Sequence, residues 1–155
     1  MTELILPANL FELETFLHRD LFQQDQPLWE ILSKINIYLS SKTLGKILGS
    51  ISPQSYLFKK EQISIGEGSI VEPGAYIEGP CIIGKHCKIR HGAYLRGNVI
   101  TGDHCVIGHQ TEVKNSIFLN HAHAAHFAYV GDSILGHRVN LGAGVKLANL
   151  LFSNQ

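Results

Sequence analysis

The sequence predicts an all-β solenoid, a parallel β-helix of six-residue repeats carrying a small α-helical cap at its N-terminus. Three observations predict it. Between Ile63 and Leu119 every sixth residue from Ile65 is aliphatic except Thr101: Ile65, Val71, Ile77, Ile83, Ile89, Leu95, Ile107, Val113 and Leu119 hold the other places. Four positions after each comes a second class, mostly small or β-branched: Ser69, Ala75, Cys81, Cys87, Ala93, Val99, Cys105, Thr111 and then Ile117. Glycine or polar residues fill the turns between them. A fixed short period of this kind marks coils that bury their apolar faces only by stacking on one another. A period of six would scatter the aliphatic residues all round an α-helix, so the helical reading fails.

The N-terminal part reads differently. Asn9 with Glu12 has the form of a capping box, predicting a helix through about His18 or Leu21 with Leu10, Leu13, Phe16 and Leu17 on one side. The "QQDQP" segment breaks that pattern, and Pro27 suits the first turn of a second helix. There Leu28, Ile31, Leu32, Ile35 and Leu39 form an apolar stripe that Trp29 and Tyr38 can widen. Residues 40–50, with Leu44, Ile47 and Leu48 before Gly49, are expected to add a short turn of helix. Residues 1–54 are thus expected as a helical lid over the first coil, since coil ends expose strand edges. Residues 55–155 are expected as the β-helix. Near residue 120 the register shifts to Tyr129, Leu135, Leu141 and Leu147, with Ser133, Val139 and Val145 as the small partners. The segment "NHAHAAHFA" at 120–128 therefore reads as a loop insertion, and insertions in solenoids often mark the binding face.

Composition narrows the function. The chain has 155 residues, 45% of them hydrophobic and 17% charged, with thirteen charges of each sign. That is an ordinary globular composition without the basic excess of a nucleic-acid partner. No apolar run is long enough to span a bilayer, and the Met1-Thr2-Glu3 start lacks the basic and apolar character of a signal peptide, so the cytoplasm is the expected location. Three cysteines (Cys81, Cys87, Cys105) all take the small-residue position, which makes them fillers of a reduced core.

Two constellations carry possible chemistry. His121, His123 and His126 crowd the 120–128 segment, and imidazoles so close in sequence suit zinc. Solvated histidines are the commoner outcome, and no metal is expected. Three hexapeptides per coil also place residues 18 apart over one another at about 4.8 Å. Arg96 and Lys114 have that separation, each directly after an inward aliphatic residue. Two stacked cations make a clamp for phosphate, Arg offering a bidentate fork, although other corners carry charge too (Glu72, Glu78, Arg90).

"TEVKNS" (111–116), "HFAYVGDS" (126–133) and "VNLGAG" (139–144) resemble the acetyltransferase half of the bacterial bifunctional enzyme that makes UDP-N-acetylglucosamine, and the β-helix of related sugar-phosphate nucleotidylyltransferases. The resemblance covers roughly residues 63–150. It implies a left-handed parallel β-helix, a homotrimer with active sites between subunits, and acetyl transfer from acetyl-CoA to the amine of glucosamine 1-phosphate. Residue by residue it implies His126 as general base, Arg96 and Lys114 on the phosphate, Tyr129 and Asn140 on the sugar phosphate, Asn149 near the amino sugar, and Ala143 beside the acyl donor. The bland reading makes Tyr129 an inward coil residue, and Asn140 a turn residue bonding its own backbone. Histidine suits the role, because the attacking amine loses a proton near neutrality. Backbone N–H groups at the glycine turn would hold the oxyanion.

Two departures shape the expectation. No glycine-rich phosphate loop opens the chain, so a nucleotidylyltransferase domain is expected to be missing. Fewer coils follow Asn149 than line the family's coenzyme A cleft, and "GVKLANL" puts Val145, Leu147 and Leu150 where hydroxyl residues are common. The alternatives are a non-catalytic sugar-phosphate-binding subunit and a metal hydratase resembling the γ-class carbonic anhydrases.

Overall fold

The computed structural model describes residues 6–22 and 27–149. The expected break at 23–26 and Leu150 lie outside them. The chain winds into a left-handed parallel β-solenoid of about five turns. Three flat parallel sheets form its walls, of six, six and five strands. Sheet I stacks Ser50–Ile51, Ile70–Val71, Lys88–Ile89, Val106–His109, His123–His126 and Asn140–Leu141. Sheet II stacks Tyr56–Phe58, Tyr76–Glu78, Tyr94–Leu95, Glu112–Lys114, Tyr129–Gly131 and Lys146–Leu147. Sheet III stacks Ile63–Ile65, Cys81–Ile83, Val99–Thr101, Ser116–Phe118 and Ile134–Leu135.

The six-residue period does what the aliphatic pattern predicts through Val113. Ile65, Val71, Ile77, Ile83, Ile89, Leu95, Ile107 and Val113 are buried in one central core. Thr101 is buried among them, its hydroxyl accepting the Gly84 N–H at 3.0 Å. Cys81, Cys87 and Cys105 are free and buried, and burial raises the Cys81 thiol above its ordinary range. The Cys87 and Cys105 thiols lie 3.1 Å from the carbonyls of Gly102 and Leu119.

The phase shift near residue 120 is a deletion, not an insertion. Ile70 pairs with Lys88 and Lys88 with Val106, a step of 18, but Val99 pairs with Ser116 and Val106 with His123, a step of 17. The missing residue is at the corner between sheets II and III. One coil turns there on Gly97 and Asn98, both at positive φ; the next two turn on Asn115 and Asp132 alone (φ 44° and 46°). Phe118 thereby stacks on Thr101 and points into the core, while Leu119 faces outward. The expected loop at 120–128 is regular structure: His123–His126 pairs with sheet I strands on both sides. Tyr129 is not an inward residue either, because Val130 fills that position.

The N-terminal arm departs further from expectation. The helix predicted from Asn9 to about Leu21 is one turn at Pro7–Leu10 and a 3-10 turn at Arg19–Leu21. The second helix forms at Glu30–Ser40 and buries Ile31, Ile35 and Leu39, with Leu28 and Leu32 partly covered and Trp29 exposed. Residues 40–50 add no helix; the β-helix already begins there, with Ser50–Ile51 paired to Ile70–Val71 and Ile47 bridged to Ile65. The arm does not lid the first coil. It packs along the outer face of sheet III, Phe16, Leu21 and Phe22 joining the helix against Ile100, Ile117 and Leu119. Asn120 Nδ2 donates to Thr15 O (3.0 Å) and Asn36 Nδ2 to Asn98 Oδ1 (2.9 Å), pinning both ends of the arm.

Two consequences are measurable. A Cβ on Gly66 would meet the Gly84 carbonyl at 2.6 Å, so coil stacking requires glycine there. Gly66→Ala is expected to cost about 1–3 kcal/mol in urea unfolding; an unchanged midpoint contradicts the close approach. Burial pulls the His18 imidazole below its ordinary 6.5, and desolvation, then His104 and His137, pulls His121 the same way. The unfolded chain then binds protons first as pH falls, so stability is complete above about pH 6.5 and declines below it. The melting temperature is expected to drop between pH 7 and pH 5; a flat or rising profile contradicts this.

Candidate functional site

The outer face of sheet II brings together three of the residues singled out in the sequence. Leu95 pairs with Val113 and Val113 with Val130, all pointing into the core. Their neighbours alternate outward. Tyr94, Glu112, Tyr129 and Lys146 form one outward column; Arg96, Lys114 and Gly131 form the next, at the corner with sheet III. The Arg96 N–H donates to Val113 O at 2.9 Å, which fixes it one rung below Lys114. Tyr129 joins them because Gly131 has no side chain: a Cβ there would meet the Tyr129 ring and hydroxyl at 2.8 Å. The phenol therefore lies along its strand toward the two cations.

Neither cation is free. Arg96 donates to Glu112 Oε1 at 2.8 Å, and Lys114 Nζ sits 3.2 Å from Asp132 Oδ2. Asn115 Nδ2 holds the other Asp132 oxygen at 2.8 Å. The Glu112 hydrogen bond raises the Arg96 guanidinium above its ordinary value. Glu112 and Asp132 are what the sequence reading missed. Glu112 lies two residues before Lys114 on the same outward alternation, a readable signal. Asp132 was hidden by the deletion, which moves it into reach of Lys114. Among the described residues the Glu112 carboxylate takes one of the five N–H donors that the Arg96 guanidinium carries.

The other residues lie round the corner. His126 ends its sheet I strand, exposed, in register with His109. Phe127 turns the chain there at φ 36°, its N–H on His109 O at 2.7 Å. Gly144 N–H donates to His126 O at 3.1 Å, placing the "GAG" turn with Ala143 directly above. Asn140 stands over His123 at the far end of the same strand. Asn149 is exposed at the end of the described chain. Within one chain His126 and the Arg96–Lys114 pair thus occupy opposite ends of the sheet II wall, and the single notch expected for the three is not formed by one copy.

The histidines also separate. His86, His104 and His121 stack their rings at 5.0 and 4.7 Å along the corner of sheets III and I, while His91 and His109 stack at 5.8 Å along the corner of sheets I and II. His121 and His126 belong to different corners, so the three histidines of 121–126 do not converge. Among the described residues no group of three or more His, Cys, Asp or Glu is placed to share a metal ion.

A family model described as GMPPB C-terminal domain matches residues 77–154. The bifunctional protein GlmU of Azoarcus sp. (strain BH72) is 42% identical over 85 residues, covering 55% of this chain and 19% of the relative. GlmU of Synechococcus sp. (strain JA-2-3B'a(2-13)) is 43% identical over 114 residues, covering 64% of this chain and 18% of the relative. The chain thus spans under a fifth of the length of these relatives. The acetyltransferase domain of PglB from Neisseria gonorrhoeae FA1090 superposes with a TM-score of 0.60 at 14% identity, over 76% of this chain and 60% of that one. A point mutant of the N-acyltransferase AntD from Bacillus cereus, in complex with dTDP-4-amino-4,6-dideoxyglucose and coenzyme A, does so at 0.59 and 16%, over 72% and 80%. At these identities the two structures establish the fold.

If the carboxylates compete with an incoming anion, Glu112→Gln frees Arg96. The variant is expected to bind inorganic phosphate about 1.4- to fivefold more tightly at low ionic strength, the range that about 0.2–1 kcal/mol for an exposed pair allows. Isothermal titration calorimetry reads this; equal or weaker binding contradicts the competition.

Proposed function

The chain belongs to the GMPPB C-terminal domain family, and on that premise we propose that it transfers an acyl group, acetyl first, from acyl-CoA to the amine of an amino-sugar 1-phosphate. The observation that carries this reading is the shared outer face of sheet II. There a guanidinium, an ammonium and a phenol from three successive coils face one small volume. Arg96 and Lys114 take the phosphate, exchanging their carboxylate partners for its oxygens, and the Tyr129 hydroxyl bonds the sugar phosphate. His126 removes the amine proton as nitrogen attacks the thioester. The backbone N–H groups of the turn around Ala143 meet the developing oxyanion, Asn140 joins Tyr129 on the sugar phosphate, and Asn149 lies near the amino sugar. These roles follow the resemblance of the three sequence motifs to the acetyltransferase half of the bifunctional enzyme.

Because His126 and the cation pair lie at opposite ends of one wall, the reaction needs a second copy. In a homotrimer the corner bearing His126 faces the sheet II wall of a neighbour, and the acetyl-CoA cleft forms between them. One observation favours a second reading, a non-catalytic sugar-phosphate-binding subunit: both cations are neutralised in the free chain and the base is remote from them.

Free-thiol release from acetyl-CoA with glucosamine 1-phosphate separates the two. Wild type is expected to release thiol, and His126→Ala to lower kcat by about 10²–10⁴, the usual worth of a general base. Arg96→Ala is expected to act mainly on KM. Release no greater than in the His126→Ala control rejects the transferase and favours the binding subunit.

A further inference from the structure

The outer face of sheet III carries a column that breaks its own pattern. Ile82, Ile100, Ile117 and Ile134 stand over one another in register and receive the N-terminal arm. At the lowest rung, paired with Ile82, the position is Ser64. Its hydroxyl is buried and has no hydrogen-bond partner among the described residues. An orphan buried hydroxyl costs about 1–3 kcal/mol, so it calls for an explanation. At that rung the arm leaves the sheet, and a cavity of about 420 Å³ opens between them, with Ser64 in its lining. The volume lies within the range of small-molecule sites.

The charged residues of the lining are two lysines and one carboxylate, with His18 and the Thr15, Thr43 and Thr101 hydroxyls beside them. Lys46 and Lys85 both line it, and neither has an ion-pair partner among the described residues. The carboxylate present, Asp103, already accepts the Lys85 backbone N–H at 2.7 Å through Oδ1. The apolar part of the wall includes Leu17 and Leu48, which stand 81% and 54% exposed with nothing packed over them among the described residues.

We infer that this cavity is a binding site for a small monoanion with a compact apolar body, of the class of a medium-chain carboxylate. The acid group supplies the acceptor that the two ammonium groups and the Ser64 hydroxyl lack, and the hydrocarbon covers Leu17, Leu48 and Ile82. The site lies on a different wall from the Arg96–Lys114 face and stands or falls independently of the acyl-transfer reading.

The probe is 8-anilinonaphthalene-1-sulfonate, a fluorescent apolar monoanion, titrated into the intact folded chain. One saturable site per chain is expected, with octanoate displacing the dye at least tenfold more effectively than inorganic phosphate or 1-octanol. Ser64→Ile, which completes the isoleucine column, removes the hydroxyl and narrows the cavity, is expected to weaken binding at least tenfold while keeping or raising the melting temperature. Lys46→Ala/Lys85→Ala is expected to weaken binding at least tenfold, and Arg96→Ala/Lys114→Ala to leave it unchanged. The inference is overturned by non-saturable binding, by wild-type binding in Ser64→Ile or in the double lysine variant, by phosphate or octanol competing as well as octanoate, or by loss of binding in the Arg96/Lys114 variant.

Discussion

The close stacking of one coil on the next governs everything else in this molecule. Parallel strands at about 4.8 Å bring the backbone of successive coil corners into close contact. Gly66 meets the Gly84 carbonyl so closely that a methyl group cannot be accommodated. Each coil must therefore return to the same three corners, and whatever the sequence puts at one step is laid directly over what it put there before. Isoleucine falls on isoleucine along sheet III, tyrosine on tyrosine at Tyr56, Tyr76 and Tyr94, and histidine on histidine along two corners.

The same rule makes like charges meet, which is costly. Two unit charges about 5 Å apart repel by roughly 1 kcal/mol in water and about 3 at the effective dielectric of a protein surface. Arg96 and Lys114 are tolerated in adjacent coils because Glu112 and Asp132 interleave with them. That arrangement also suits exchange. Under the proposed function, a phosphate would replace the two carboxylates on the same cations with more charge. Among the stacked imidazoles, desolvation and the neighbouring His104 and His137 rings pull His121 below its ordinary value, which disfavours a charge there.

Legibility followed the stacking. From Ile65 to Val113 the aliphatic period dictates the core because each inward place is filled by one large side chain. It failed at Asn115, where a corner of two left-handed residues became a corner of one. A lost residue and an inserted loop shift the phase alike in sequence, and only pairing tells them apart. The arm was misread for another reason: Leu10 and Leu17 repeat at helical spacing, yet they are 51% and 81% exposed, while Phe16, Leu21 and Phe22 are buried from an irregular chain. In the site, the 18-residue gap between Arg96 and Lys114 was readable. Glu112 could be read from the same outward alternation; Asp132 and the position of His126 could not, since both depend on which corner each rung turns.

The proposed function requires that coil stacking builds an anion site on sheet II, completed by His126 of an adjacent copy. A crystal structure with glucosamine 1-phosphate bound tests it most directly. The account predicts the phosphate between the Arg96 and Lys114 side chains, both released from Glu112 and Asp132, with a His126 ring nitrogen from a neighbouring chain within hydrogen-bonding distance of the amine. A ligand bound elsewhere, or bound there with both ion pairs intact and no His126 near the amine, contradicts it.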